Sequence, residues 1–136
     1  MFATGVRRIG AALAVSALLG VAVQTGAARA EVSVRSWDEC QAGLFCVFWH
    51  VNGGTLLRGT AANFTNIGNE GRGDKATSVW NRSPWTGRLY DWDRDRECWI
   101  HLGTYRPGFQ GNVVPNANDR ADAIGLAGNV EGDVCR

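Results

Sequence analysis

The segment Asp74-Lys-Ala-Thr-Ser-Val79 returns 45 residues later as Asp119-Arg-Ala-Asp-Ala-Ile124. Both copies begin with Asp, carry Ala at the third position and end on a β-branched residue. The same separation of 45 places Leu44-Phe45 on Leu89-Tyr90. A repeat of about 40–45 residues is typical of duplicated supersecondary units. We therefore predict two Greek-key units of about four short strands each, packed sheet on sheet around one core.

The residues around the repeat favour strands over helices. A run rich in aromatic and β-branched residues extends from Leu44 to His50 and ends at Asn52-Gly-Gly54, a strand followed by a glycine turn. A second run begins at Leu89, and no long window after residue 30 shows a helical apolar stripe. The sequence predicts an all-β fold. Its expected core contains Phe45, Val47, Trp49, Tyr90, Trp92 and Trp99.

The first thirty residues have the pattern of an export signal. Arg7 and Arg8 precede the uncharged stretch 9–23, and Ala28-Arg-Ala30 is a signal-peptidase site. The apolar stretch is too short to span about 30 Å of hydrocarbon. We predict a cleaved signal peptide at residues 1–30, a secreted, extracellular protein of residues 31–136, and no membrane association after cleavage.

Removal of the signal changes the charge. The chain has 14 basic and 13 acidic residues, and loses Arg7, Arg8 and Arg29, so 11 basic residues remain and the net charge becomes −2. A protein without a basic field does not suit a phosphate backbone, which excludes a dedicated nucleic-acid binder. We expect a monomer.

Four cysteines, Cys40, Cys46, Cys98 and Cys135, allow three pairings, among which the sequence does not decide. A hairpin around Gly43 would join Cys40 to Cys46 and leave Cys98 for Cys135. No CxxC is present, so disulfides are favoured over a metal site in an exported chain.

Several segments together resemble peptidase inhibitor family I36: Cys40-Gln-Ala-Gly-Leu-Phe-Cys46-Val-Phe-Trp, Asn52-Gly-Gly54, Asn66-Ile-Gly68, and residues 74–81 with their repeat at 118–123. Members of this family are small secreted proteins related to a Streptomyces metalloproteinase inhibitor. The resemblance implies a disulfide-stapled βγ-crystallin-like sandwich of two Greek keys. Motif one would cover about 40–82, motif two about 86–126, and a C-terminal tail 127–136.

The resemblance also implies a function. We expect a non-enzymatic inhibitor that binds an extracellular metallopeptidase tightly through an exposed loop. No stretch identifies the inhibitory loop, which stays unknown at this point. The alternative is a structural or stress module that binds calcium and inhibits nothing.

Calcium-binding βγ-crystallin motifs read (Asn/Asp)-(Asn/Asp)-x-x-(Ser/Thr)-Ser. Both copies depart from this pattern, the first at Gly73 and the second at Asp122 and Ala123. Oxygen ligands suit a hard cation, so weak calcium binding is one interpretation, and no cofactor is otherwise required. The other is that Asp74 and Asp119 bond turn amides. The possible ligands are Asp74, Thr77, Ser78, Asn118, Asp119 and Asp122.

The remaining motifs point to no catalysis. His50 and His101 lie outside any nucleophile or HExxH motif, so no catalytic residue is predicted. The alternating carboxylates of 91–97 fail the calcium-loop pattern at two positions and predict a solvated hairpin arm, with Asp91, Asp93 and Asp95 on one face and the arginines on the other. A sugar-binding surface formed by tryptophans stays open.

Overall fold

Eight strands form two four-stranded antiparallel sheets within residues 36–136, the part of the chain that the computed structural model describes. Across these residues the regular structure otherwise consists of two short 3₁₀ helices, and the all-β prediction is confirmed. The predicted signal peptide lies outside the described residues. The strands are β1 (Phe45–Trp49), β2 (Thr55–Thr60), β3 (Phe64–Asn66), β4 (Ala76–Asn81), β5 (Gly87–Asp93), β6 (Cys98–Tyr105), β7 (Gln110–Asn112) and β8 (Ala123–Leu126).

The two sheets have the same strand order. The first is β2-β1-β4-β7, and the second, read from its β6 edge, is β6-β5-β8-β3. Strand β3 of the first half lies in the second sheet, and β7 of the second half lies in the first. Each half therefore places its first, second and fourth strands in one sheet and its third strand in the other.

The strand registers confirm a duplication but correct its alignment. Val47 pairs with Val79, and Leu89 pairs with Ile124 in the equivalent place. A β-bulge follows Val47 in β1 and Leu89 in β5. The fourth strand of each half, β4 or β8, is separated from its equivalent by 45 residues. The equivalent residues Val47 and Leu89 of the first strands are only 42 apart. The predicted match of residues 44–45 with 89–90 is therefore wrong by three residues. The β5–β6 hairpin contains the three extra residues.

The core lies between the sheets. Phe45, Val47 and Val79 from the first sheet pack with Leu89 and Ile124 from the second, and all five are fully buried. The predicted burial of Tyr90 and Trp99 is also confirmed, although these two belong to a separate cluster beside Ala123.

Two tryptophans predicted in the core are exposed. Trp49 is 43% exposed because the pairing of β1 with β4 is irregular between Phe48 and Trp49, which interrupts the inward alternation. Its ring stacks instead on His50, with centroids 4.9 Å apart. Trp92 is 36% exposed because it lies beyond Tyr90, where the pairing of β5 with β8 ends. It contacts Trp99 edge to face.

The disulfides join Cys40 with Cys46, the pair that a hairpin around Gly43 favours, and Cys98 with Cys135, the pair that this leaves. The first packs against Phe48 in a small cluster separate from the main core. The second fastens the C-terminal tail to β6, where Trp99 N–H donates to Asp133 O and Cys135 N–H to Trp99 O. For a domain of about 100 residues, two covalent cross-links supplement a limited core.

Candidate functional site

The repeated segments form equivalent turns. Asp74 and Asp119 both have positive φ, 55° and 54°, a conformation that Asp tolerates better than most residues. Asp74 N–H donates to Ala121 O (3.1 Å), and Asp119 N–H donates to Ala76 O (3.0 Å). Each turn is therefore fastened to the other copy of the repeat, and the side chains of the two copies face each other.

The first group of facing side chains consists of Thr77, Asn118 and Asp119, and we call it the hydroxyl site. Thr77 Oγ1 donates to Asp119 Oδ1 (3.1 Å), and Asn118 Nδ2 donates to Asp119 Oδ2 (2.8 Å). Both oxygens of this carboxylate therefore accept a hydrogen bond from the chain itself. These three predicted ligands lie together, and the donors to the Asp119 carboxylate are two side chains rather than the turn amides of the alternative interpretation.

The second is the carboxylate site, formed by Asp74, Asp91 and Asp122. Asp122 takes the place of Thr77: its carbonyl accepts from Gly68 N–H as that of Thr77 accepts from Val113 N–H. One carboxylate oxygen from each aspartate lies within 4.8 Å of the others. Oxygens that share one calcium ion at about 2.4 Å have this spacing.

Charge and burial both act on Asp122. Burial raises the pKa of its carboxyl above the ordinary value of 3.8, repulsion from Asp74 and Asp91 adds to the rise, and a hydrogen bond from Trp92 N–H opposes it. Asp91 is partly compensated, since Arg120 Nη2 contacts its Oδ2 at 2.7 Å. The site therefore concentrates negative charge that Arg120, in contact with Asp91, and Arg94, through its attraction to Asp122, only partly balance.

Gly73 makes room for this arrangement. A Cβ at Gly73 would overlap Asp122 Oδ1, and a Cβ at Gly68 would come within 3.0 Å of the same oxygen. The two departures from the motif are thus linked, because the absence of a side chain at Gly73 leaves the space that the Asp122 carboxylate occupies.

The other predicted ligand, Ser78, has a structural role. It is fully buried, donates through Oγ to His50 O (2.8 Å) and accepts from Gly53 N–H (2.9 Å), which ties β4 to the β1–β2 turn. Asp91 joins the site in its place. The sequence does not predict Asp91 as a ligand of this site, because its spacing groups it with the alternating carboxylates of residues 91–97.

That run forms the end of the β5–β6 hairpin. Asp93 Oδ1 accepts from the backbone N–H groups of Asp95 and Arg96, and Arg96 Nε donates to Asp93 Oδ2 (2.7 Å). The hairpin prediction is confirmed. The expected separation of acidic and basic faces is wrong for this pair, because a turn at residues 94–97 brings Arg96 back onto Asp93.

The carboxylate site opens into a cleft of about 680 Å³. Trp92 and Trp99 form one part of its lining, and the C-terminal tail forms another through residues 131–133. Five acidic residues and one arginine line it: Asp74, Glu97, Asp122, Glu131, Asp133 and Arg94.

Residues 34–100 match the model of peptidase inhibitor family I36. The chain belongs to this family. The matched stretch contains β1 to β5, the Cys40–Cys46 disulfide and the turn at Asp74. Searches of curated proteins and of solved structures gave no match to the chain. Membership in I36 supports a peptidase-inhibitor role with a protease as partner, and supports the interpretation of the chain as a non-enzyme.

The two histidines of this I36 protein contact neighbouring side chains: His101 Nε2 lies 2.9 Å from Thr104 Oγ1 on the same strand, and exposed His50 stacks on Trp49. Two disulfides and membership in an inhibitor family are consistent with secretion. Within residues 36–136 no helix is long and apolar enough to cross a bilayer.

Proposed function

We propose that this I36 protein is a secreted, monomeric inhibitor of an extracellular metallopeptidase, which it binds tightly through an exposed loop. The family match carries the proposal. An inhibitor of this kind needs a rigid scaffold, since a loop already fixed in its bound conformation loses little entropy on docking. Two disulfides and two interlocked sheets provide such a scaffold.

We further propose that the sandwich is of the βγ-crystallin type. The exchange of β3 and β7 supports this assignment, because each half then contributes four strands that return across both sheets as a Greek key. A crystal structure of the mature protein, compared with known crystallin domains, tests it.

The test of inhibition is a titration of the mature protein against a thermolysin-like metallopeptidase in the presence of calcium, which such peptidases require. We expect stoichiometric loss of activity at nanomolar enzyme. A chymotrypsin-like serine peptidase serves as the class control. Inhibition of the serine enzyme alone would reassign the target class, and no inhibition of either enzyme at micromolar protein would contradict the proposal.

A second candidate function, calcium binding, is supported by the carboxylate site. Asp74, Asp91 and Asp122 offer hard oxygen ligands at a spacing that one ion accommodates. Bound Ca²⁺ would neutralise carboxylates that otherwise repel each other. It would also connect the first copy of the repeat, through Asp74, to β5 and the second copy, and so stabilise the scaffold without taking part in inhibition.

Isothermal titration calorimetry of the calcium-free protein measures this binding directly. We expect one ion per chain, because the hydroxyl site already satisfies its aspartate internally. Binding of two ions, or of none at millimolar calcium, would contradict this assignment.

A further inference from the structure

The segment that links the two halves, residues 82–86, presents the most exposed tryptophan of the chain. This linker loop joins β4 to β5. Trp85 is 55% exposed and Pro84 is exposed beside it, whereas Ser83 is 4% exposed. Tryptophan is enriched among the residues that dominate binding energy at interfaces, which makes an indole presented on a short loop a candidate contact residue.

Asn81 holds this loop from inside the protein. Its fully buried side chain donates through Nδ2 to Trp85 O (2.8 Å) and Tyr105 O (3.0 Å). Its Oδ1 accepts from Ser83 N–H (3.0 Å) and Ser83 Oγ (2.7 Å). The Ser83 hydroxyl in turn accepts from Trp85 N–H (3.2 Å). One buried amide thus fixes the backbone on both sides of Pro84, whose ring fixes its own φ.

The first disulfide braces the start of the same loop. Arg82 N–H donates to Leu44 O (2.8 Å), and Arg82 O accepts from Gly43 N–H (3.0 Å). The Arg82 side chain donates to Cys40 O (2.6 Å) and covers the Trp80 ring. Residues 40–46, closed by their disulfide, therefore form a rigid support beneath the loop.

A second exposed aromatic residue lies on a turn anchored to the same asparagine. Asn81 N–H donates to Phe109 O, and Gly108 N–H donates to Asn81 O, both at 2.8 Å. Phe109 is 38% exposed. The linker loop and the turn between β6 and β7 are thereby held side by side.

We infer that the linker loop is the inhibitory loop, that Trp85 is its anchor, and that Phe109 contacts the rim of the enzyme cleft. The inference rests on the proposed inhibitory function. It specifies the target as a peptidase whose specificity pocket accepts a large aromatic side chain. The backbone around Trp85 is already fixed by hydrogen bonds, so docking requires little further ordering.

The test compares inhibition constants of the wild type and four variants against the thermolysin-like enzyme. Trp85→Ala is expected to weaken inhibition by about 30-fold or more, the size typical of a buried interface tryptophan. Trp85→Phe should retain most of the affinity. Ser83→Ala, which loosens the loop and leaves Trp85 in place, should weaken it by about 5–10-fold.

Trp49→Ala is the matched control. Trp49 is similarly exposed but lies at the opposite end of β1, since Phe45 pairs with Asn81 and Trp49 with Ala76. Its inhibition constant should stay within about twofold of the wild type, as expected for a residue outside the interface. Equal thermal melting of Trp85→Ala and Trp49→Ala shows that both are folded.

The outcomes separate the two claims. Wild-type inhibition with an unchanged constant for Trp85→Ala would overturn the assignment of the loop and leave the inhibitor function standing. Equal losses for Trp85→Ala and Trp49→Ala would also overturn it. Absence of wild-type inhibition would remove the proposed function and this inference together.

Discussion

The carboxylate site and the hydroxyl site are built on equivalent turns, which precede β4 and β8, and they differ in what faces the central aspartate. Asp119 faces a hydroxyl and an amide that both donate to it. Asp74 faces Asp122 and Asp91, which have no proton to donate when ionised. The same backbone turn therefore gives a closed hydrogen-bonded corner in one place and a cluster of like charges in the other.

This difference shows how two small changes convert one kind of site into the other. Asp122 replaces the hydroxyl, and Gly73 replaces the asparagine that would otherwise donate, leaving the space that the Asp122 carboxylate fills. Neither position 122 nor position 73 then donates a hydrogen bond to the clustered carboxylates. A cation would neutralise their charge instead.

The largest expected effect is a different dependence on calcium at the two sites. Calcium at about 100 times its dissociation constant should stabilise the wild type by ~2.7 kcal/mol, a rise in Tm of about 10 °C or more. Asp74→Asn replaces a charged carboxylate ligand with a neutral amide oxygen and should remove most of this rise. Asp119→Asn alters the equivalent residue of the hydroxyl site and should preserve it.

Differential scanning calorimetry in calcium and in EDTA measures all three proteins. The comparison between the sites fails if Asp119→Asn removes the calcium effect or if Asp74→Asn keeps it.

A smaller effect should come from exchanging the glycine. Gly73→Asn forces a side chain against Asp122 and should cost about 1–3 kcal/mol, the range for overpacking. When Asp122→Thr is made as well, part of that cost should disappear, with a coupling of about 1 kcal/mol. Urea unfolding in EDTA measures the double-mutant cycle, and strictly additive effects would show that the two positions are independent.

The smallest effect concerns pH. Because the pKa of Asp122 is raised on folding, its ionised form destabilises the calcium-free protein at pH values above that folded pKa. This penalty should disappear as pH falls from the folded pKa towards 3.8. The stability difference between Asp122→Asn and the wild type should therefore favour the variant at pH 7 and shrink on acidification.

The comparison uses the difference in unfolding free energy between the wild type and Asp122→Asn. In this difference, the pH-dependent contributions of carboxylates that both proteins share cancel. One of them is Asp93, whose pKa is lowered by a hydrogen bond from the Arg96 side chain. Chemical unfolding between pH 7 and pH 4 in EDTA measures this trend. A difference that grows on acidification would contradict it.

The sequence predicts the fold class and the existence of a duplication, because glycine turns and repeated segments are local signals. It does not decide among the three cysteine pairings, although a hairpin around Gly43 favours the observed Cys40–Cys46 bridge. It misplaces Trp49 and the equivalence of the first strands. A β-bulge and a longer hairpin cause these errors, and both depend on how strands pair across the sheet.

The candidate sites are less accessible to sequence analysis. Five of the six predicted calcium ligands lie in the two facing copies of the repeat that form these sites, but only Asp74 and Asp122 share the carboxylate site. Asp91 arrives from β5 through tertiary packing, which no spacing reveals. Asn81 and Ser83 occur in an Asn-x-Ser pattern that describes a glycosylation sequon equally well, so their role in holding the linker loop is visible only in three dimensions.

The exchange of β3 and β7 has a consequence for a protein that meets peptidases. If an enzyme hydrolyses a bond in residues 82–86, the chain becomes two fragments, one ending and one beginning at the cut. Strand β3 of the first fragment pairs with β8 of the second, and β7 of the second pairs with β4 of the first. These hydrogen bonds should hold the two fragments together and keep the new termini near each other. We therefore expect a nicked molecule to retain both fragments, because β3 and β7 each pair with a strand of the other half.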